Sequence, residues 1–319
     1  MSRRRRLVLH IGMHKTGTTS IQHALDQWRG PLFTRAGILY PSVGRAAASP
    51  QQHLNVALAY AAENGVAPQY APSRRLNRRV LIDALKQEIA LSGAPTTVLS
   101  SEEFWWRAEI PPAIAKDFAS FDIVPVAFVR DYAEVVERSA YTSVVQLGQI
   151  DEDPARGYLE ANIPAVLRAW STIAKDSRIT VLDYDALPQG DAIAAMLEVL
   201  DVSQAELQVG SSPFRRLNGS GSLLEVLAHR ALRGIDDPDG RARLEALLRR
   251  MPTSATFLDA ATRKALQEKF VVDMKALSGA DFVSGLVFDE DVYWRNRVAV
   301  ECVPDLPALL LHIARSLPA

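Results

Sequence analysis

His10-Ile11-Gly12-Met13-His14-Lys15-Thr16-Gly17-Thr18-Thr19-Ser20 is the stretch that decides the fold of this 319-residue chain. An apolar run, Leu7-Val8-Leu9, precedes it. A segment with Ile21, Ala24, Leu25 and Trp28 on one helical face follows it. Strand, glycine-bracketed loop and helix N-terminus in that order aim backbone amides and the positive end of a helix at a phosphate. Gly12 and Gly17 permit backbone angles and close approach that a side chain would obstruct. The amides of Thr16 to Thr19 face such a ligand, and the hydroxyls of Thr18, Thr19 and Ser20 add donors.

Outward from this loop, strands and helices alternate. Arg5 to Ile11 reads as a strand and Thr18 to Trp28 as a helix stopped by Gly30-Pro31. Ala36 to Tyr40 reads as a short strand, and Leu54 to Asn64 and Leu76 to Leu91 as helices. Thr96 to Ser100 is a short buried strand, Pro111 to Ala119 a helix, and Ile123 to Val129 a strand closed by Arg130. Tyr132 to Leu147 is helical, Gly148 to Tyr158 an acidic mobile loop, and Ala161 to Lys175 helical. A strand at Ile179 to Leu182 and a helix at Ala192 to Leu200 follow. Beyond about residue 203 strands thin out, and Leu223–Leu232, Gly240–Arg250, Ala260–Leu277 and Leu306–Leu317 read as helices. The pattern predicts an α/β fold of three layers, α/β/α, around a central, mainly parallel sheet, with a helical C-terminal part from about residue 203 packed on one domain spanning 1–319. Parallel sheets bind ligands at the carboxyl ends of their strands. His10 to Lys15, Ser100 to Glu103 and Arg130 all fall there, so three separate stretches are expected to meet in one crevice.

Composition narrows the function classes. Apolar residues make up 48% and charged residues 23%, with a formal net charge of −1, so nothing global points to nucleic acid. Cys302 is the single cysteine, which rules out an internal disulfide and fits a reducing compartment. No apolar run approaches the roughly 18 residues of a membrane helix. The basic start Met1 to Arg6 imitates a signal peptide, but its apolar part is too short and polar loop chemistry follows at once. A cytoplasmic location without a membrane span is expected, and the Ala- and Arg-rich composition suggests a bacterial source. His10, His23, His229 and His312 have no metal-ligand spacing, so no zinc site is expected.

The loop resembles the P-loop G-x-x-x-x-G-K-[ST] with one change: Thr18 stands where the lysine should be, and the lysine has moved inside the loop to Lys15. This form, G-x-x-K-T-G-T-T, resembles the signature of sulfotransferases that use 3′-phosphoadenosine 5′-phosphosulfate (PAPS). The resemblance covers about the first two-thirds of the chain. It implies a P-loop NTPase-like fold and transfer of a sulfuryl group from PAPS, as co-substrate, to a hydroxyl or amine, with no metal required. Lys15 would meet the leaving-group oxygen, and Thr16, Gly17, Thr18, Thr19 and Ser20 would hold the nucleotide. In that family an arginine closing a strand and a serine on the next helix hold the 3′-phosphate. Arg130 and Ser139 match, although Ser139 lies one position later than the pattern and Arg138 occupies the expected one. Arg216, in Arg216-Leu217-Asn218-Gly219-Ser220, resembles a lid contact to the same phosphate; Ser220 reads better as a helix cap.

Transfer to an alcohol needs a base. Carbohydrate N-sulfotransferases use a glutamate just after a strand, and Glu102 sits in the matching place, with Glu103 as the neighbour that could face inward instead. Glu102 reads equally well as a carboxylate at a short helix start capped by Ser100 or Ser101. His14, inside the loop, is a further candidate for contact with the sulfate or acceptor. His53 resembles a histidine placed near the acceptor in bacterial members. The acceptor suggested by analogy is a carbohydrate or glycolipid, with a small aromatic or alkaloid-like alcohol as the rival. The other readings are a P-loop kinase or NTPase using ATP–Mg²⁺, against which stand the missing lysine after the second glycine and a strand followed by Arg130 where a metal-binding aspartate would be, with Asp131 one position later, and a nucleotide-binding module without catalysis.

Overall fold

The computed structural model describes residues 4–47, 49–63, 77–105, 108–142, 155–210 and 258–297. The chain divides into two compact units, Met1–Arg130 with Asn162–Leu217 and Lys275–Phe288, and Asp131–Ala161 with Asn218–Met274 and Asp289–Ala319.

The first unit is built on a sheet. Its strands are β1 (Arg5–His10), β2 (Ile38–Leu39), β3 (Thr96–Ser100), β4 (Phe121–Val129), β5 (Ile179–Asp183) and β6 (Val283–Ser284). They lie in the order β2-β3-β1-β4-β5-β6, and every pairing is parallel. Parallel strands need crossovers, and the helices that supply them cover both faces. On one face Val8, Val98, Val126 and Phe128 pack against α1 (Thr18–Gln27), α2 (Arg29–Ala36) and α9 (Ala192–Val199) through Ile21, Ala24, Leu25, Leu32, Ile193 and Met196. Leu7, Leu9, Leu99 and Val129 alternate with these and are equally buried beneath the opposite layer. That layer includes α4 (Arg78–Ser92), whose Ile89 carbonyl accepts from Arg5 Nη1 at 3.2 Å, and α8 (Ile163–Ser171), packed on β5. The three-layer α/β/α expectation holds.

The strand order places β1 between β3 and β4, so the chain leaves β1 toward one edge and later crosses to the other. That is the topological switch point, and the crevice opens at the carboxyl ends of these strands. His10 is level with Ser100 on one side and with Val126 on the other.

Two local expectations are corrected. Gly30-Pro31 does not end a helical region: the chain breaks at Trp28 (φ −94°, ψ 12°) and Gly30-Pro31 lie in the first turn of α2. Proline is tolerated there because first-turn amides have no intrahelical acceptor to lose. The end of the expected acidic loop, from Arg156, belongs to a short helix that runs to Glu160.

In the second unit, α6 (Tyr132–Thr142) starts on Asp131. Asp131 is fully buried; its Oδ1 accepts from the Ala133 and Glu134 amides, at 2.8 and 3.4 Å, and its Oδ2 accepts from the Tyr293 hydroxyl at 2.7 Å. The Tyr132 hydroxyl donates to Asp273 at 2.8 Å, and Arg263 bridges Glu134 and Glu137 at 3.1 and 2.7 Å. Burial pushes the Glu137 carboxyl up to about 7, against the pull of Arg263. The helices expected at Leu223–Leu232, Gly240–Arg250 and Leu306–Leu317 lie outside the described residues.

Candidate active site

Residues 11–17 carry the chain from β1 to α1 and turn sharply at two left-handed residues, Lys15 (φ 62°) and Gly17 (φ 78°). At Gly17 the angle itself calls for glycine. At Gly12 the reason is space: a Cβ there would stand 2.6 Å from Thr18 Oγ1 and 2.9 Å from Thr18 Cγ2. Thr18 cannot retreat, being buried with its hydroxyl directed at the Met13 carbonyl (3.3 Å), which also accepts from Thr16 Oγ1 at 2.6 Å. Gly12→Ala is therefore expected to cost about 1–3 kcal/mol of stability through overpacking. Chemical denaturation measures it, and an unchanged midpoint would show that the loop has slack.

The hydroxyls of Thr16 and Thr18 thus hold the loop's own shape, and their amides are what they can offer a ligand. Thr19 is exposed and Ser20 nearly buried on the first turn of α1. Among the described residues no side chain caps that turn. Its amide donors, with the helix dipole behind them, are a ready anion site.

Ser101, buried after β3, accepts from the Glu103 amide at 3.3 Å and caps a short 3₁₀ turn, Glu102–Phe104. The cap reading thus fits Ser101, and it presents Glu102 toward the loop. Glu102 Oε2 lies 3.0 Å from His14 Nδ1, both side chains 28% exposed. Burial disfavours charge on each, but their hydrogen bond and mutual attraction outweigh it. The His14 pKa is raised above the usual imidazole value, and Glu102 is held below the usual carboxylate range with help from Lys15. Glu103 is half-buried beside it.

Arg130, immediately after β4, is nearly buried. Its Nη1 donates to the Lys15 carbonyl at 2.9 Å, its Nε lies 3.2 Å from Asp185 Oδ1, and its guanidinium stacks 4.7 Å from the Tyr184 ring centre. The three stretches expected to converge do so: β1's loop meets β3's end through His14 and Glu102, and β4's end through Lys15 and Arg130. Sequence reasoning missed the fourth contributor, Tyr184-Asp185 after β5. The signal was its place at a strand's carboxyl end.

Beneath the loop lies a buried polar network. His10 Nδ1 is 2.8 Å from Ser100 Oγ, which also accepts from Gln22 Nε2 at 3.1 Å. His10 Nε2 is buried without a hydrogen-bond partner among the described residues, and burial pushes this histidine down to about 4. His53 is fully buried as well. Its Nδ1 accepts from the Ser100 amide at 3.2 Å and its Nε2 donates to the Pro41 carbonyl at 3.1 Å, so both ring nitrogens are engaged and the ring ties β3's end to the Pro41 segment. Burial pushes its pKa down to about 3. Ser139 is half-buried on α6 in the second unit; Arg216 lies outside the described residues.

Among the described residues no helix is long and apolar enough to cross a membrane, and no cluster of three or more His, Cys, Asp or Glu is arranged to hold a metal ion. No family model and no curated protein sequence matches the chain. Among solved structures, it is similar to the crystal structure of a sulfotransferase from Alicyclobacillus acidocaldarius, with 16% identity and a TM-score of 0.38 over 80% of this chain and 99% of that one. It is also similar to the sulfotransferase domain from the Synechococcus PCC 7002 olefin synthase, with 12% identity and a TM-score of 0.37 over 85% of this chain and 96% of that one.

Proposed function

We propose that the chain is a sulfotransferase that moves a sulfuryl group from PAPS to a hydroxyl or amine acceptor. The observation that carries the reading is the placement of Lys15: a lysine inside the loop, at its left-handed turn, with its carbonyl held by the arginine that closes β4. The uncapped first turn of α1 and the tight space at Gly12 fit a phosphate lying against backbone.

PAPS, when bound, supplies the sulfuryl group: its sulfur–oxygen bond to the phosphate breaks as a bond to the acceptor oxygen or nitrogen forms, leaving adenosine 3′,5′-bisphosphate. Lys15, with the amides of Thr16 to Thr19, would meet the charge on the departing phosphate oxygen. Arg130, with Ser139 and Arg216, would hold the 3′-phosphate. Ser20 would add a donor to the loop. The acceptor's proton passes to His14 Nε2, because Nδ1 is committed to Glu102 and the resulting imidazolium is stabilised by that carboxylate. Glu102 then acts one bond further out than sequence reading placed it, as the group that orients and charges His14. Glu103 flanks the acceptor side, and His53 positions rather than contacts. We further propose a single domain organisation, a cytoplasmic, bacterial setting, and a carbohydrate or glycolipid acceptor.

The kinase reading needs a free carboxylate near the strand end. Asp131, the residue available for it, has both oxygens engaged by amides and Tyr293. A screen of hydroxyl and amine acceptors with PAPS, following release of adenosine 3′,5′-bisphosphate, tests the proposal. Acceptor-dependent release is expected. Acceptor-dependent transfer from ATP–Mg²⁺ with none from PAPS would sink it.

A further inference from the structure

Arg130 already has a carboxylate partner. Asp185 sits on the 3₁₀ turn Tyr184–Ala186 that follows β5, where Asp183 Oδ1 accepts the Asp185 amide at 3.0 Å and fixes the turn. The same turn lies against the phosphate loop: a Cβ on Gly17 would stand 3.1 Å from the Tyr184 ring. The turn is thus held in place from both sides, and Asp185 Oδ1 is delivered to Arg130 Nε at 3.2 Å. The arginine side chain is 10% exposed and the aspartate 24%, so the carboxylate has a route to water that the guanidinium lacks.

We propose that Asp185 is an internal competitor for phosphate at Arg130, and so sets nucleotide affinity and product release. The inference rests on the reading of Arg130 as the contact to a nucleotide 3′-phosphate. A phosphate arriving at Arg130 brings negative charge against the Asp185 carboxylate, and like charges juxtaposed in a partly desolvated site are costly. Asp185 must yield, turning outward to water. Its return to Arg130 then helps to expel the product nucleotide, which still carries the 3′-phosphate. A ligand without that phosphate gives Asp185 nothing to oppose.

Calorimetric titration of adenosine 3′,5′-bisphosphate and adenosine 5′-monophosphate tests this in wild type, Asp185→Asn, Arg130→Gln and the double variant. Asp185→Asn should bind the bisphosphate roughly tenfold tighter, and the monophosphate within about twofold of wild type. In the Arg130→Gln background the gain should vanish. Asp185→Ser repeats the measurement should the amide variant fold poorly. Weaker or unchanged bisphosphate binding in both Asp185 variants, equal gains for both nucleotides, or a gain that persists without Arg130 would each overturn the inference. The underlying reading fails separately: Arg130→Gln would then cost both nucleotides equally, whereas a selective loss of the bisphosphate leaves that reading standing whatever Asp185 does.

Discussion

Lys15→Ala is expected to lower kcat for PAPS-dependent transfer about 100- to 1,000-fold while leaving KM nearly unchanged. The expectation is this specific because of how the residue is held. Its role in loop geometry runs through the backbone, whose carbonyl accepts from Arg130 Nη1, and through its φ of 62°. Alanine keeps both, since it carries the same Cβ and meets the same mild left-handed strain. What disappears is the side chain with its ammonium group, whose charge also helps to hold Glu102 low and opposes the rise of His14. A charge that matters mainly as the leaving oxygen departs is lost from the transition state and not from the bound ground state. Steady-state kinetics separates the cases: a large rise in KM with kcat intact would make Lys15 a binding residue, and full activity would remove it from the chemistry.

The second large effect concerns the His14–Glu102 pair. His14→Ala should reduce kcat about 10²- to 10⁴-fold, the usual range for a positioned base. Glu102→Gln should also reduce it and, in addition, move the pH profile. As a base His14 must be neutral, so activity rises with pH through its pKa, which stands above the usual imidazole value. Burial, with a smaller push from Lys15, lowers that pKa; the hydrogen bond and charge of Glu102 are foremost in raising it, with the Glu103 charge behind them. With glutamine in place, the ascending limb shifts to lower pH. The sign for stability runs the same way. Raised His14 contributes stability that is present below its unfolded pKa and lost as pH climbs through the folded one. Depressed Glu102 contributes stability present above its unfolded pKa and lost as pH falls through the folded one. An ascending limb that stays in place in Glu102→Gln would show that His14 is not the base.

Much of this was legible in the sequence, for identifiable reasons. Thr96–Ser100 is legible to the residue because a short apolar run there is bounded by a glycine turn and by polar residues. The loop from His10 to Ser20 is legible because its glycines, lysine and hydroxyls stand at a recognisable spacing between an apolar run and a helix start. Other features left no local trace. β6 is two residues long, too short for periodicity, and is followed by Gly285 (φ 80°), where a Cβ would stand 3.3 Å from the Val181 carbonyl. Arg29–Ala36 was hidden by Gly30-Pro31, which signals a stop unless a new helix begins one residue earlier. The pairing of His14 with Glu102 joins residues 88 positions apart, and Arg130 with Lys15 joins residues 115 apart. Sequence marked these residues singly; only the parallel register of β1 with β3 and β4 makes them neighbours.

The most direct test of the account is which nucleotide the purified chain binds. Thermal unfolding should be followed with adenosine 3′,5′-bisphosphate in the presence of a chelator, and in parallel with ATP–Mg²⁺. A ligand at 100 times its Kd stabilises by about 2.7 kcal/mol, enough for a clear rise in Tm. The account predicts that the bisphosphate raises Tm without any divalent cation, and that Arg130→Gln abolishes most of the rise. A Tm that responds to ATP–Mg²⁺ and not to the bisphosphate would contradict it.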